Sequence, residues 1–287
     1  MPRDTPSPLR HQRAHGRAEL GFVTRPGGGT ALRHLYQSAP CRVLFPTPEP
    51  GEAPQAALIN VAGGLAGGDS LEIAVEMAAG TTASLTTPAA EKLYRSLGED
   101  SRIDVTLSLA EGAMMEWLPQ ETILFEGSRL RRSLRADLAP DARLLAAEML
   151  VFGRAARGET LTQGLLHDRW RLHRGGRLVW ADALELSGDI AARLNDPFGF
   201  GGAGAMASLL LAASPAEAAT ARDLLRDLAG DEPGEVTVAA TLPRPGLLLA
   251  RWLGAASPLR AAVAQAIPAL RSAILGLPPC LPRLWTT

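Results

Sequence analysis

From about residue 18 to residue 190 the pattern is predominantly that of strands, with apolar and polar positions alternating in several segments. Leu71, Ile73, Val75 and Met77 are separated by Glu72, Ala74 and Glu76, and Ile103, Val105, Leu107 and Leu109 by Asp104, Thr106 and Ser108. Side chains of a strand project to opposite faces with period two, so the pattern predicts half-buried strands. Further strands are predicted at 18–23, 31–37, 41–45, 55–61, 81–87, 113–118, 129–138, 142–152, 169–174 and 177–187, with Gly, Pro and Asp between them. Three stretches repeat one design: 73–85, 105–117 and 134–146 each run strand, turn, strand, with the turn at Gly80, Gly112 or Asp141. The turns are 32 and then 29 residues apart. Stacked hairpins of this kind predict a layered, solenoid-like β-sheet architecture.

The texture changes at the loop PFGFGGAG, 197–204. A strand at 206–213 follows, then a helix with Pro215 near its start. Ala218, Ala221, Leu224, Leu225 and Leu228 supply its apolar stripe, and Gly230 ends it. Strands at 235–242 and 246–253 lead to a second helix, predicted to start at Ser257-Pro258 as cap and first turn and to run towards 275. Pro268 is expected to kink or interrupt it. The fold class is therefore mainly β, with two helices in the C-terminal part. Residues 1–15 read as a basic tail and 16–287 as one domain, β-rich over 16–190 and α+β over 205–287.

Composition narrows the function. Hydrophobic residues make up 46% and charged residues 21%, which suits a folded globular chain. Basic and acidic residues nearly balance at a net charge of -1, which disfavours nucleic-acid binding. Cys41 and Cys280 are the two cysteines, too few for a disulfide framework or a thiolate zinc site. No apolar run reaches about 18 residues, and the first residues lack a secretory apolar region, so neither membrane insertion nor export is expected and a cytoplasmic location is. His11 and His15 have helical metal-ligand spacing, but no apolar stripe accompanies them, so a solvated tail is expected.

Four motifs stand out. Gly63, Gly64, Gly67, Gly68 and Asp69 form GGLAGGD, which matches no phosphate-loop pattern and leads into a strand; its bland reading is a tight bend with Asp69 on turn amides. LTTPAAEKLYRS, 85–96, gathers Thr86, Thr87, Lys92, Tyr94 and Arg95, and Lys92 is the single lysine. It serves either as a surface loop or as a docking surface, and Lys92 could be a nucleophile only if burial lowered its pKa. EWLPQE, 116–121, holds Glu116, Trp117 and Glu121, with Trp117 an expected core or interface anchor. GRAARGE, 153–159, sets Arg154, Arg157 and Glu159 in a Gly-flanked loop suited to an ion pair or a partner contact. HExxH, GxSxG and CxxC are missing, and His34, His167 and His173 are scattered, so no triad or metal-hydrolase pattern is legible.

In this order, with the ending PRLWTT at 282–287, the motifs resemble the urease accessory protein family UreD, called UreH in some organisms, over roughly residues 16–287. Glu91 stands where the family pattern suggests a small residue or Thr. The resemblance implies a mainly β scaffold and metallochaperone component, not an enzyme. It implies as partners the urease apoprotein, UreF and, through UreF, the GTPase UreG. It implies no tightly bound cofactor, only Ni2+ in transit to the urease active site. A passing Ni2+ is held loosely by carboxylate, carbonyl and water oxygens. Asp69 is the first candidate for such a passage and for transient metal contact. Glu148 and Asp182, acids that interrupt apolar strands, come next, and Thr86 and Thr87 could share the wall. The C-terminal helices are expected to dock UreF or to cover the core, or both. Two alternatives stay open: a carboxylate-based hydrolase or lyase on a β scaffold, and a purely structural adaptor.

Overall fold

The computed structural model describes residues 13–230 and 234–285. The alternating segments form strands β1 (His15–Thr24), β2 (Thr30–Ser38), β3 (Cys41–Leu44), β4 (Gln55–Asn60), β5 (Ser70–Met77) and β6 (Thr82–Thr86). They continue with β7 (Glu91–Leu93), β8 (Ser101–Leu109), β9 (Met114–Leu118), β10 (Thr122–Leu124), β11 (Arg129–Leu138) and β12 (Arg143–Phe152). The later elements are β13 (Leu165–Arg174), β14 (Arg177–Ser187), α1 (Ile190–Asn195), β15 (Ala205–Ala212), α2 (Pro215–Ala229), β16 (Val236–Arg244), β17 (Leu247–Gly254) and α3 (Ala256–Leu270).

Two sheets face each other. The seven-stranded sheet has the order β14-β13-β11-β8-β5-β1-β2, and the ten-stranded sheet runs β16-β17-β15-β12-β9-β6-β4-β3, with β7 and β10 joined to it beside β12. The recurring stretches are the coils of this solenoid. β5, β8 and β11 are parallel neighbours in one sheet, and β6, β9 and β12 are parallel neighbours in the other. Their registers carry the spacing of the turns: Leu71 lies beside Ile103, and Thr82 beside Met114. The turns themselves stack, with the Gly80 amide donating to the Glu111 carbonyl at 2.9 Å and Met114 to Thr81 at 2.8 Å. The expected hairpins are corrected here. The two strands of each unit do not pair; the turn carries the chain from one sheet to the other, and each strand pairs with the next coil. Parallel stacking satisfies both backbone edges while the apolar sides of the two strands meet face to face.

Two cores result. Inward residues of both sheets, among them Leu20, Val75, Leu107, Leu85, Trp117 and Leu144, fill the space between them. A second core lies between the outer face of the ten-stranded sheet and the C-terminal helices, with Met114, Leu118, Leu145, Leu209, Leu225, Val263 and Trp285. Successive residues of β12 serve opposite cores, Leu144 one and Leu145 the other, which is why that strand reads as a continuous apolar run.

Helix α2 starts as its sequence predicts: Ser214 accepts from the Glu217 amide and Glu217 accepts from the Ser214 amide, a reciprocal capping box. Helix α3 differs from expectation. Ala255 occupies the cap without a side-chain bond, so Ser257 and Pro258 lie inside the first turn, where a missing N–H leaves no intrahelical bond unmade. The helix continues through Pro268 and widens into a π turn only at Arg271–Leu275, before left-handed Gly276. Short α1, capped by Asp189, adds a third helix, and β7 and β10 are three-residue strands too brief to show alternation. Residues 14 and 15, read as part of the tail, join the folded part: His15 opens β1 and the Ala14 amide donates to Asp69 at 2.8 Å. His11 lies outside the described residues. Among those residues no helix is long and apolar enough to cross a membrane.

Candidate functional site

Alternation should leave only apolar side chains between the sheets, yet charged residues occupy inward positions. Arg132 interrupts the inward run Leu130, Leu134 of β11, Asp168 stands between Leu166 and Trp170 of β13, and Glu148 follows Ala146 on β12. The parallel register puts Arg132 directly beside Asp168. The Arg132 guanidinium grips Asp168 with Nε to Oδ1 at 3.0 Å and Nη2 to Oδ2 at 2.6 Å. Its Nη2 also lies 3.1 Å from Glu148 Oε2. Trp117 Nε1 donates to Glu148 Oε1 at 2.9 Å, while Glu148 Oε2 accepts no hydrogen bond. Two carboxylates thus share one buried guanidinium. Burial pushes the Glu148 carboxyl up, against the pull of Arg132 and with help from Asp168. Burial would lower the Arg132 pKa, but the two carboxylates outweigh it and raise it.

A cavity of about 70 Å3 opens beside this cluster, lined by Glu148, Arg132, Trp117, Thr122, Glu91, Asn60 and Cys41, among others. That volume is large enough to hold ordered water. Asn60 Nδ2 donates to both Glu91 oxygens, at 3.1 and 3.2 Å, and the Lys92 amide donates to Oε1 at 3.1 Å. Burial nevertheless pushes Glu91 up to about 7. Burial, with Glu91 nearby, pushes the Cys41 thiol up to about 11.

The opposite face of the same sheet carries a second cluster of the same stoichiometry. Arg271, fully buried at the start of the π turn, bonds Glu116 at 2.8 Å and Glu52 at 2.5 Å. Burial raises the Glu116 pKa despite Arg271. At Glu52 burial is overridden by hydrogen bonds from Arg271 and Cys280, and its carboxyl is lowered. Consecutive residues of β9 therefore belong to different sites: Trp117 holds Glu148 between the sheets, and Glu116 meets Arg271 under the helices. The remainder of EWLPQE ties down the chain end. Arg260 bonds Glu121 at 2.6 Å and lies 5.1 Å from the Trp285 ring centroid, and Trp285 Nε1 donates to the Leu118 carbonyl at 2.9 Å.

The other motifs meet at one rim of the solenoid. Leu65 and Tyr94 exchange backbone bonds with Lys92 and Leu65 at 2.8 Å, and the Tyr94 hydroxyl donates to the Gly63 carbonyl at 3.0 Å. Tyr94 packs edge-on against Phe125 at 5.3 Å, and Arg154 covers the same ring at 4.0 Å while bonding Glu159. Gly64 is required by contact: a Cβ there would lie 2.5 Å from the Tyr94 ring and 2.7 Å from the Lys92 carbonyl, at φ +148°. Lys92, Arg95 and Arg157 point to solvent on this rim, so Lys92 lacks the burial that a nucleophile would need. At Gly67 and Gly68 the nearest atoms belong to Ser96, Glu99 and Arg13, so these glycines admit the close approach of the neighbouring loop.

The candidate passage residues are dispersed. Asp69 is buried at a corner, with Oδ1 accepting from Ala14 and Oδ2 from Ala66, each at 2.8 Å. It does not line the inter-sheet cavity, so no acid pair for hydrolase chemistry is built around it there. Asp182 sits half-exposed on β14 and bonds Arg251 of β17, tying the edge strand of the seven-stranded sheet to the second strand of the ten-stranded one. Thr86 is buried at the end of β6 with its hydroxyl on the Thr87 carbonyl, and Thr87 borders the cavity and accepts from the Gln120 amide at 2.8 Å. Glu148 alone of the three acids lies at the cavity. Sequence reading passed over Arg132, Asp168, Glu52 and Arg271, and named Glu91 and Cys41 without placing them at a shared cavity. For Arg132 and Asp168 the signal was present as a charge at inward parity. For Arg271 and Glu52 no local pattern marks the contact. Among the described residues no three His, Cys, Asp or Glu converge as a metal cage.

A family model described as UreD urease accessory protein matches residues 14–286. The chain is 51% identical over 243 residues to the urease accessory protein UreD of Granulibacter bethesdensis, covering 85% of this chain and 99% of that protein. It is 46% identical over 278 residues to the UreD of Magnetococcus marinus, covering 96% and 94%. With the UreD of a Methylobacterium species it shares 47% identity over 287 residues, covering 99% and 98%. On the strength of a match that runs through all four motifs and both layers of the fold, the chain belongs to the UreD family of urease accessory proteins.

Proposed function

We propose that the chain is a scaffold in urease maturation that binds apo-urease, recruits UreF and through it UreG, and offers Ni2+ a polar route between its sheets. The observation that carries the route is Glu148 Oε2, buried at the inter-sheet cavity with an ion pair to Arg132 at 3.1 Å but no hydrogen bond. Burying carboxylates in excess of cations is costly, and a purely structural core would gain by replacing them with apolar side chains. A divalent cation would take up that excess. Oxygen donors and retained water hold Ni2+ loosely enough to release it. Burial raises the pKa of both Glu148 and Glu91, so metal entry would compete with protons at these carboxyls and passage would be favoured by rising pH. The outward faces of α2 and α3 are the proposed seat of UreF.

The adaptor reading has its own support in the bidentate Arg132–Asp168 grip, which orders the core without any metal. The test is co-purification of the chain with UreF, UreG and apo-urease, followed by nickel-dependent urease activation with and without it. Glu148→Gln and Glu91→Gln are then compared with wild type. Intact complexes with poor activation support the route. Intact complexes with full activation remove it and leave the adaptor. No complex and no dependence on the chain would overturn the assignment to urease maturation.

A further inference from the structure

The two sheets differ in what covers them. The ten-stranded sheet carries α2 and α3 on its outer face, whereas among the described residues no helix packs on the outer face of the seven-stranded sheet. That face is flat and polar, and its charge is unevenly distributed. On the β8–β11–β13 side the outward positions hold Arg102, Arg129, Arg131, Arg135, Arg169 and Arg171. The parallel registers set Arg102, Arg131 and His167 side by side in one row, and Arg135 and Arg171 side by side in another. Strand spacing of about 4.8 Å and a two-residue repeat of about 6.8 Å keep side-by-side arginines within a Debye length of about 8 Å at physiological salt, while the whole group spans about 20 Å.

The local acids do not neutralise it. Asp100 takes both Arg129 and Arg131, at 2.7 and 2.6 Å, and Asp137 takes Arg135 at 2.7 Å; Asp104 shares a row with Ser133 and Arg169 and bonds Ser133, and Glu185 stands beside His167, so six arginines face four acids. Arg102, Arg169 and Arg171 make no ion pair among the described residues. Like charges held side by side across strands weaken a sheet, so Arg102 beside Arg131 and Arg171 beside Arg135 are a cost to the isolated fold. The β5–β1–β2 side is different: Arg17 lies against Glu19 and Glu72, and Arg33 against Glu76.

We infer that the outer face of the seven-stranded sheet docks an acidic protein surface through Arg102, Arg169 and Arg171. A flat face is matched by another folded surface, and planar guanidinium forks suit carboxylates. Acidic Glu72, Glu76 and Glu19 on the adjoining strands would repel a continuous polyanion laid across the sheet, which favours a protein with localised acids. Because the contact is charge-led, it governs encounter rate and salt dependence more than area does.

The inference rests on the scaffold reading in using apo-urease as its probe. Capture of apo-urease by the full chain is measured at about 50 mM and about 300 mM salt. The wild type is compared with the Arg102→Glu, Arg169→Glu, Arg171→Glu variant and with a control carrying Arg25→Glu, Arg193→Glu and Arg244→Glu, with thermal melting to confirm folding. The expected result is about tenfold weaker capture for the first variant at low salt, a flatter salt dependence, and near-normal capture for the control. Equal capture by all three proteins overturns the inference. So does a variant that captures apo-urease normally but loses self-association by light scattering, or loses only retention on heparin. If wild type fails to capture apo-urease at either salt, the scaffold reading itself has failed, and that outcome is distinct because no variant is needed to see it. Should the triple variant not fold, Arg171→Gln alone, at an exposed position, must still flatten the salt dependence.

Discussion

Removing the Arg132 guanidinium would strand two carboxylates between the sheets. Arg132, Asp168 and Glu148 are each at least nine-tenths buried, so solvent cannot take over the lost contacts, and breaking such a pair from one side costs about 3–5 kcal/mol. For a chain of this length 1 kcal/mol corresponds to about 2–4 °C in melting temperature. Arg132→Met should therefore melt about 6–20 °C lower at pH 7.5. The loss should shrink at pH 5, where the stranded carboxyls take up protons more readily, at about 1.4 kcal/mol per pKa unit. Combining it with Asp168→Leu and Glu148→Gln removes the uncompensated charge while leaving Trp117 an acceptor, and should recover most of the loss. The assay is circular dichroism melting of the three proteins at both pH values. A single variant within 2 °C of wild type at pH 7.5 would refute the reasoning, as would a combined variant no better than the single one.

Asp69→Ala should leave the Ala14 and Ala66 amides unpaired and lower stability by about 1–3 kcal/mol in urea titration, with activation falling only as folded protein falls. Gly64→Ala should destabilise the rim by about 1–3 kcal/mol beyond backbone strain, through collision with Tyr94 and the Lys92 carbonyl, whereas Gly63→Ala, at φ +77° but meeting open space, should cost only the strain of about 1–2 kcal/mol. Glu91, raised from its ordinary 4.5 to about 7, holds a proton in the folded chain that the unfolded chain has already lost over that interval. Its contribution is present below pH 4.5 and is lost as pH rises to about 7, so Glu91→Gln should flatten the fall in stability across that window.

The β fold was legible because alternation sets face and the recurring turns set register. The intervals read between Gly80, Gly112 and Asp141 reappear as strand offsets in both sheets. What alternation cannot say is whether the second strand of a unit folds back on the first or crosses to an opposing layer, and the hairpin expectation failed there. β7 and β10 escaped notice because three residues cannot display a period. The site divides in the same way. Arg132 and Asp168 break inward parity within single strands, so they could have been found. Their pairing with each other depends on a register 36 residues long in sequence. Arg271 reaches Glu52 and Glu116 across most of the chain, a contact that only the docking of α3 on the ten-stranded sheet creates. Asp69 attracted attention as an acid among glycines, and its hydrogen bonds account for that position as local turn chemistry.

The stacked turns also divide the molecule into a rim that cannot be edited and one that can. The three crossings at 78–81, 110–113 and 139–142 are of equal length and bonded one on another. One residue added to 110–113 would slip β9, swinging Trp117 beneath the helices and Glu116 into the space between the sheets, and so dismantle both charge clusters at once. The opposite crossings, 87–100, 119–128 and 153–164, differ in length while the coils remain in register. Leu97, 84% exposed beside Gly98, is the natural port for a foreign segment. A fluorescent or affinity module grafted there would leave every strand partner unchanged and report on whatever approaches the rim where GGLAGGD, LTTPAAEKLYRS and GRAARGE meet.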